Sequence, residues 1–138
     1  MIFEQLFDKT SSTYTYLISS GPGREALIID PVLEHVDAYI KTLKKLDLKL
    51  VKVIDTHIHA DHITGMSELQ IKTNCETIMG DKTPAEIVSI KVKDQEEINI
   101  DKLKIKAIYT PGHTYESFSF LMKDRVFTGD TLLIGGTG

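Results

Sequence analysis

Cysteine occurs once in these 138 residues, at Cys75. No disulfide can therefore form within the chain, and a reducing compartment, the cytoplasm, is the expected setting. Long apolar runs are missing as well. Ala26-Leu27-Ile28-Ile29 is representative of what there is, against the roughly 20 residues that a membrane-spanning helix needs. The N-terminal Met1-Ile2-Phe3-Glu4-Gln5 has neither the basic region nor the apolar core of a signal peptide. Basic charge is not in excess: 16 Lys and Arg stand against 20 Asp and Glu, for a net charge of -4. That balance gives no reason to expect nucleic acid or an anionic membrane as partner. Repeats, low-complexity tracts and linker-like stretches are absent, so one domain over 1–138 is expected. What remains is 41% apolar and 26% charged, the composition of an ordinary globular domain.

The apolar pattern places strands at Ile2 to Phe7, at the β-branched and aromatic Tyr14-Thr15-Tyr16-Leu17-Ile18, and at Glu25 to Ile29. With the Gly21-Pro22-Gly23 turn, these three read as antiparallel neighbours. The period then changes. Val36, Ile40 and Leu43 recur at helical spacing with Lys41, Lys44 and Lys45 outward, which predicts an amphipathic helix over 34–46. Leu50 to Asp55 is a buried strand, a short helix runs from near Ile63 to about Ile71, and Glu76 to Met79 is a further strand. Glu97 to Ile100, Leu103 to Tyr109, Ser117 to Met122 and Arg125 to Thr128 complete the set, with Lys123-Asp124 as a tight turn. Lys91 to Glu97 reads as a solvated loop. The fold class is α+β or α/β, a mixed layer arrangement with one helical face.

The segment that carries chemistry is Thr56-His57-Ile58-His59-Ala60-Asp61-His62-Ile63-Thr64-Gly65. Three of the five histidines and a carboxylate fall within six consecutive positions, at the end of a buried strand. Imidazole and carboxylate together are metal-ligand chemistry, and strand ends are where open α/β sheets place their sites. Two other strands end similarly, in Thr110-Pro111-Gly112-His113-Thr114 and in Thr128-Gly129-Asp130-Thr131. In each, a glycine precedes the candidate ligand and lets the backbone turn tightly. Taken alone, a His-x-His is as readily a surface feature, and Gly-His-Thr or Gly-Asp-Thr a turn. Together they hold four of the five histidines, and if their strands lie side by side, His57, His113 and Asp130 converge on one point. The fifth, His35, sits at a helix start and reads as solvated, so that His35→Ala should change nothing measurable. Asp30, which ends a strand before Pro31, could sit near the site, and a turn-capping role is the better reading. Asp55 is an even choice between ligand orientation and backbone support, and Cys75 is an incidental or structural thiol.

With these residues in view, the chain resembles the metallo-β-lactamase superfamily, whose signature runs T-H-x-H-x-D-H, then a distant G-H, then G-D. The resemblance covers essentially the whole chain. It implies an αββα sandwich, mostly its N-terminal half, within one metallo-β-lactamase-like domain. Glyoxalase II members typically read T-H-H-H-x-D-H-x-G-G. Here the sequence is T-H-I-H-A-D-H-I-T-G, which resembles the persulfide dioxygenase branch, as do Ser11 to Leu17, Ala26 to Pro31 and Thr128 to Ile134. That branch implies one Fe(II) per chain held by His57, His113 and Asp130, a two-histidine, one-carboxylate face with open coordination positions. The implied reaction oxidises glutathione persulfide to sulfite and glutathione with dioxygen. His59, Asp61 and His62 are then a second shell that orients ligands or substrate, and Asp61 is the residue of the set read as catalytic. In the two-metal zinc hydrolases of the glyoxalase II type, His59 completes the first site, Asp61 and His62 hold the second Zn(II), and Asp130 bridges the pair. The substrate is then a glutathione thioester.

The chain departs from the family at its end. It stops at Gly135-Gly136-Thr137-Gly138, where the family usually continues with R-T-D-F-Q, and Gly135 and Thr137 replace an arginine and a cysteine common in the branch. The family's late histidine and much of its glutathione-binding surface lie beyond this point. A sheet cut here exposes an unpaired edge, so the expectation is a marginally stable chain that aggregates or forms a homodimer. A non-catalytic metal-binding fragment is the third reading.

Overall fold

The computed structural model describes residues 1–57, 64–83, 88–111, 117–123 and 125–127, with backbone alone at 132–133 and 136–137. Its first sheet has the order β1-β2-β3-β4-β5-β6. The strands are β1 (Ile2–Asp8), β2 (Thr13–Ser19), β3 (Glu25–Ile29), β4 (Lys49–Ile54), β5 (Glu76–Gly80) and β6 (Ile90–Val92). β1, β2 and β3 pair antiparallel, and β3, β4, β5 and β6 pair parallel. Parallel neighbours need a crossover, and helices supply two of them. A 3-10 turn (Leu33–His35) and α1 (Val36–Lys45) connect β3 to β4, and α2 (Met66–Thr73) connects β4 to β5.

A second sheet has the order β10-β9-β8-β7 and is antiparallel throughout. Its members are β7 (Glu97–Ile100), β8 (Leu103–Tyr109), β9 (Phe118–Leu121) and β10 (Val126–Phe127). A two-stranded ribbon, β11 (Leu132–Leu133) with β12 (Gly136–Thr137), follows.

Alternation along the strands of the first sheet divides the core in two. Leu17, Ala26, Ile28, Val53 and Met79 join Val36, Tyr39, Leu43, Met66 and Leu69 beneath the helices. Ile18, Leu27, Ile29, Ile54 and Ile78 face the other way, onto Ile98, Ile105, Ala107, Phe118, Phe120 and Phe127 of the second sheet. The described residues thus form three packed layers, helices on sheet on sheet, with β3 buried on both faces as a parallel strand should be. The sheets are in close contact where Gly80 meets Phe118. A Cβ built on Gly80 would lie 1.9 Å from the Phe118 ring, so only glycine admits the ring there.

Three sequence expectations need correction. The candidate ligand strands do not lie side by side, because β4 belongs to one sheet and β8 and β10 to the other. The stretch from Lys91 is not wholly a loop. Lys91 and Val92 belong to β6, and Val92 is buried against β5. Three residues with one buried side chain between charged neighbours leave no period to read. Finally, α2 begins at Met66 and continues to Thr73. Gly65 precedes it, and Asn74 ends it in the left-handed conformation, φ +59°.

Candidate metal centre

Of the sequence-predicted ligands, His57 is described, and His59, Asp61, His62, His113 and Asp130 lie outside the described residues. His57 follows the C-terminal end of β4 and is buried. Its Nδ1 is 2.9 Å from the Thr56 hydroxyl, which donates to Asp30 Oδ2 at 2.9 Å. The Thr56 backbone N–H donates to Asp30 Oδ1 at 2.8 Å. A carboxylate only accepts and a hydroxyl has one proton. The Thr56 proton therefore goes to Asp30, and His57 Nδ1 must carry its own hydrogen and give it to Thr56. The ring is fixed as the Nδ1–H tautomer, with its lone pair on Nε2. That arrangement fits a metal ligand, whose other nitrogen is oriented by a hydrogen-bonded partner.

Asp30 is thus a correction to the sequence reading. Its side chain reaches well beyond its own turn. Its buried carboxylate holds a residue 26 positions away, the one immediately before His57. Its φ is +55°, a conformation that aspartate tolerates better than most residues. Its own N–H donates to Ile54 O at 2.8 Å, locking it to the end of β4. Asp55 is buried as well, and its N–H donates to Ile78 O at 3.1 Å, which pins the strand end to β5.

The C-terminal ends of β8 and β10 come to the same place from the second sheet. Tyr109 pairs with Phe118, and β10 runs antiparallel to β9, so the ends of β8 and β10 lie together at the Phe118 end. Thr110 N–H donates to Ser117 O at 3.1 Å, and the hydroxyls of Thr110 and Ser119 are 2.7 Å apart, which closes the base of the segment carrying His113. The Phe118 N–H then donates to Thr56 O at 2.9 Å. One hydrogen bond joins the base of that segment to the residue beside His57. The strand ends converge after all, because the ends of strands from the two sheets meet.

Among the described residues, no cluster of three or more His, Cys, Asp and Glu side chains could hold an ion. The remaining candidates all belong to segments 58–63, 112–116 and 128–131, which the described strand ends bracket. His35 is not part of this site and is not merely solvated. Its Nε2 lies 2.8 Å from Asp8 Oδ1, tying the start of α1 to the end of β1. The Ser11 hydroxyl and then the His35 ring hold the Asp8 carboxyl down to about 2. Cys75 is buried in the helix-side core, and burial pushes its thiol up, so it is an unreactive core residue.

The class of protein follows from comparison with known families. A model of the metallo-β-lactamase superfamily matches residues 9–87, and the chain belongs to that superfamily. Within it, the chain is 36% identical over its full length to "Persulfide dioxygenase ETHE1, mitochondrial" of Mus musculus, and covers 55% of that protein. The crystal structure of ETHE1 from Myxococcus xanthus superposes with a TM-score of 0.93 at 47% identity, over 96% of this chain and 59% of that one. A probable hydroxyacylglutathione hydrolase of Schizosaccharomyces pombe is 36% identical over 94% of this chain, which covers 52% of it. The chain spans about half the length of the curated relatives it matches. No helix among the described residues is long and apolar enough to cross a membrane.

Proposed function

We propose that this chain carries the metal centre of a non-haem Fe(II) persulfide dioxygenase. The observation that carries the reading is the 47% identity and TM-score of 0.93 with the ETHE1 structure. The Asp30–Thr56–His57 arrangement supports it by presenting a histidine in one tautomer. In this reading His57, His113 and Asp130 would hold one Fe(II), and His59, Asp61 and His62 would orient ligands and substrate, with Asp61 as the catalytic residue of the set. The reaction takes glutathione persulfide, dioxygen and water to glutathione, sulfite and two protons, the outer sulfur being oxidised and dioxygen reduced. Iron(II), when bound, supplies the redox chemistry and open coordination positions. Thr56 and Asp30 hold the His57 ring in place, and burial of Asp55, Thr56 and His57 excludes water from the base of the site. The substrate is a small molecule and the compartment cytoplasmic. Leu121 and Val126, cross-strand partners exposed at 41% and 47%, support self-association into a homodimer.

A second reading, a two-Zn(II) thioester hydrolase, is favoured by the hydroxyacylglutathione hydrolase among the relatives. A third is a metal-binding chain without turnover. Metal analysis of anaerobically purified protein separates the first two. One iron per chain with oxygen uptake on glutathione persulfide supports the dioxygenase. Two zinc ions with glutathione released from a thioester support the hydrolase. Bound metal with neither activity leaves the third.

A further inference from the structure

The segment Asp30-Pro31-Val32 does more than orient His57. It grips the motif at its far end too. Gly65 N–H donates to Pro31 O at 2.9 Å, the Thr64 hydroxyl donates to the same oxygen at 3.3 Å, and Thr64 forms an antiparallel bridge with Val32. Gly65 has to be glycine for this, since a Cβ would stand 2.8 Å from Val36 Cγ2 and 3.3 Å from Val32 O. One three-residue segment therefore holds both Thr56 and Thr64-Gly65, on the two sides of 58–63.

That segment is itself suspended from a buried phenol. Tyr39 projects from α1 with 4% of its surface exposed. Its hydroxyl accepts the Val32 N–H at 3.1 Å and lies 3.1 Å from the Thr15 hydroxyl. Thr15 donates to Asp30 O at 2.7 Å, so its single proton is used and Tyr39 O–H is the donor between them. The chain of bonds runs from Val32 N–H through Tyr39 and Thr15 to Asp30 C=O, spanning the segment from end to end. Hydrogen bonds of this kind are strengthened where water is excluded.

We propose that Tyr39 is a positioning residue for the metal centre, acting through Asp30-Pro31-Val32 on both ends of the ligand-bearing segment. The inference rests on the metal-centre reading above. It predicts that the helix layer sets ligand geometry from outside the site. Tyr39→Phe keeps the ring in the core and deletes only the hydroxyl, and Thr15→Val deletes the other member. Leu43→Val, one turn along α1 and equally buried, disturbs the same core without touching the bonds.

Two measurements on the 138-residue chain test it. In the metal-free protein, amide hydrogen exchange at Thr56 and at Gly65 should rise together by about fivefold or more in Tyr39→Phe, with Val53 in mid-β4 unchanged. Zn(II), used as probe ion in competition with a chelator, should bind at least about threefold more weakly. Loss of a group bonded directly to a ligand brings roughly 10- to 100-fold. Thr15→Val should shift both readouts the same way, and Leu43→Val neither. Exchange that rises at only one end, or equally in Leu43→Val, would overturn the proposal, as would wild-type Zn(II) affinity in Tyr39→Phe. A wild-type chain that binds no Zn(II) would sink the metal-centre reading and this inference with it.

Discussion

β3 runs between two aspartates of similar geometry and opposite surroundings. At its far end Asp30, φ +55°, accepts a backbone N–H and a hydroxyl from Thr56. At its near end Asp101, φ +46°, accepts the Glu25 N–H at 2.9 Å and the Ser20 hydroxyl at 3.3 Å, with Arg24 Nε at 3.8 Å. Both carboxylates tether distant pieces of chain. Asp30 does so in the interior, beside His57, and Asp101 at the surface, where water competes for every bond. The same chemistry should be indispensable at one end and nearly silent at the other, because burial sets what an unmade hydrogen bond costs.

The largest effect is expected from Asp30→Ala, which strands the buried N–H and hydroxyl of Thr56 and should destabilise the chain by about 3–5 kcal/mol. Urea denaturation measures it, and a loss below about 1 kcal/mol would erase the contrast. Gly80→Ala, which drives a Cβ into the Phe118 ring, should cost about 1–3 kcal/mol, partly recovered by a second change, Phe118→Leu. Thr56→Val should cost about 1–2 kcal/mol. It should also release the His57 tautomer, read as a redistribution of the two ring ¹⁵N shifts; unchanged shifts would show that Thr56 does not hold the ring.

Asp8 sharpens the comparison as an intermediate case, its carboxyl accepting the N–H and hydroxyl of Ser11 and facing His35. Its folded value of about 2 lies below the ordinary 3.8. A depressed carboxylate contributes stability that is complete above the unfolded value and disappears as pH falls through the folded one. Asp8→Asn should therefore flatten the stability curve between about pH 4 and pH 2 and leave its shape at pH 7 intact. The smallest effect is expected from Asp101→Ala, within about 1 kcal/mol by the same denaturation.

The strands were legible because alternation survives in seven residues and a turn such as Gly21-Pro22-Gly23 punctuates it. The helix at Val36–Lys45 was legible from three outward lysines and an apolar stripe. The candidate metal motif stands out in the sequence because its residue types are rare together. The Asp30–Thr56 pairing left no local trace: it joins positions 26 apart across two parallel strands, and Asp-Pro looks like any turn. The Asp8–His35 pair was hidden for the same reason, at 27 apart. The division of the candidate ligand strands between two sheets was also beyond local pattern, since strand order is decided by packing after each strand has formed.

Gly80 and Phe118 have a consequence for how such a chain can change over time. A ring resting on bare backbone leaves no methyl group to trim and no rotamer to exchange, so neither position can drift alone. A larger residue at 80 must coincide with a smaller one at 118, or the two sheets part and the Phe118 N–H leaves Thr56. The two positions should therefore vary as one inherited character across relatives of this chain, and a relative with a side chain at the first should lack an aromatic at the second.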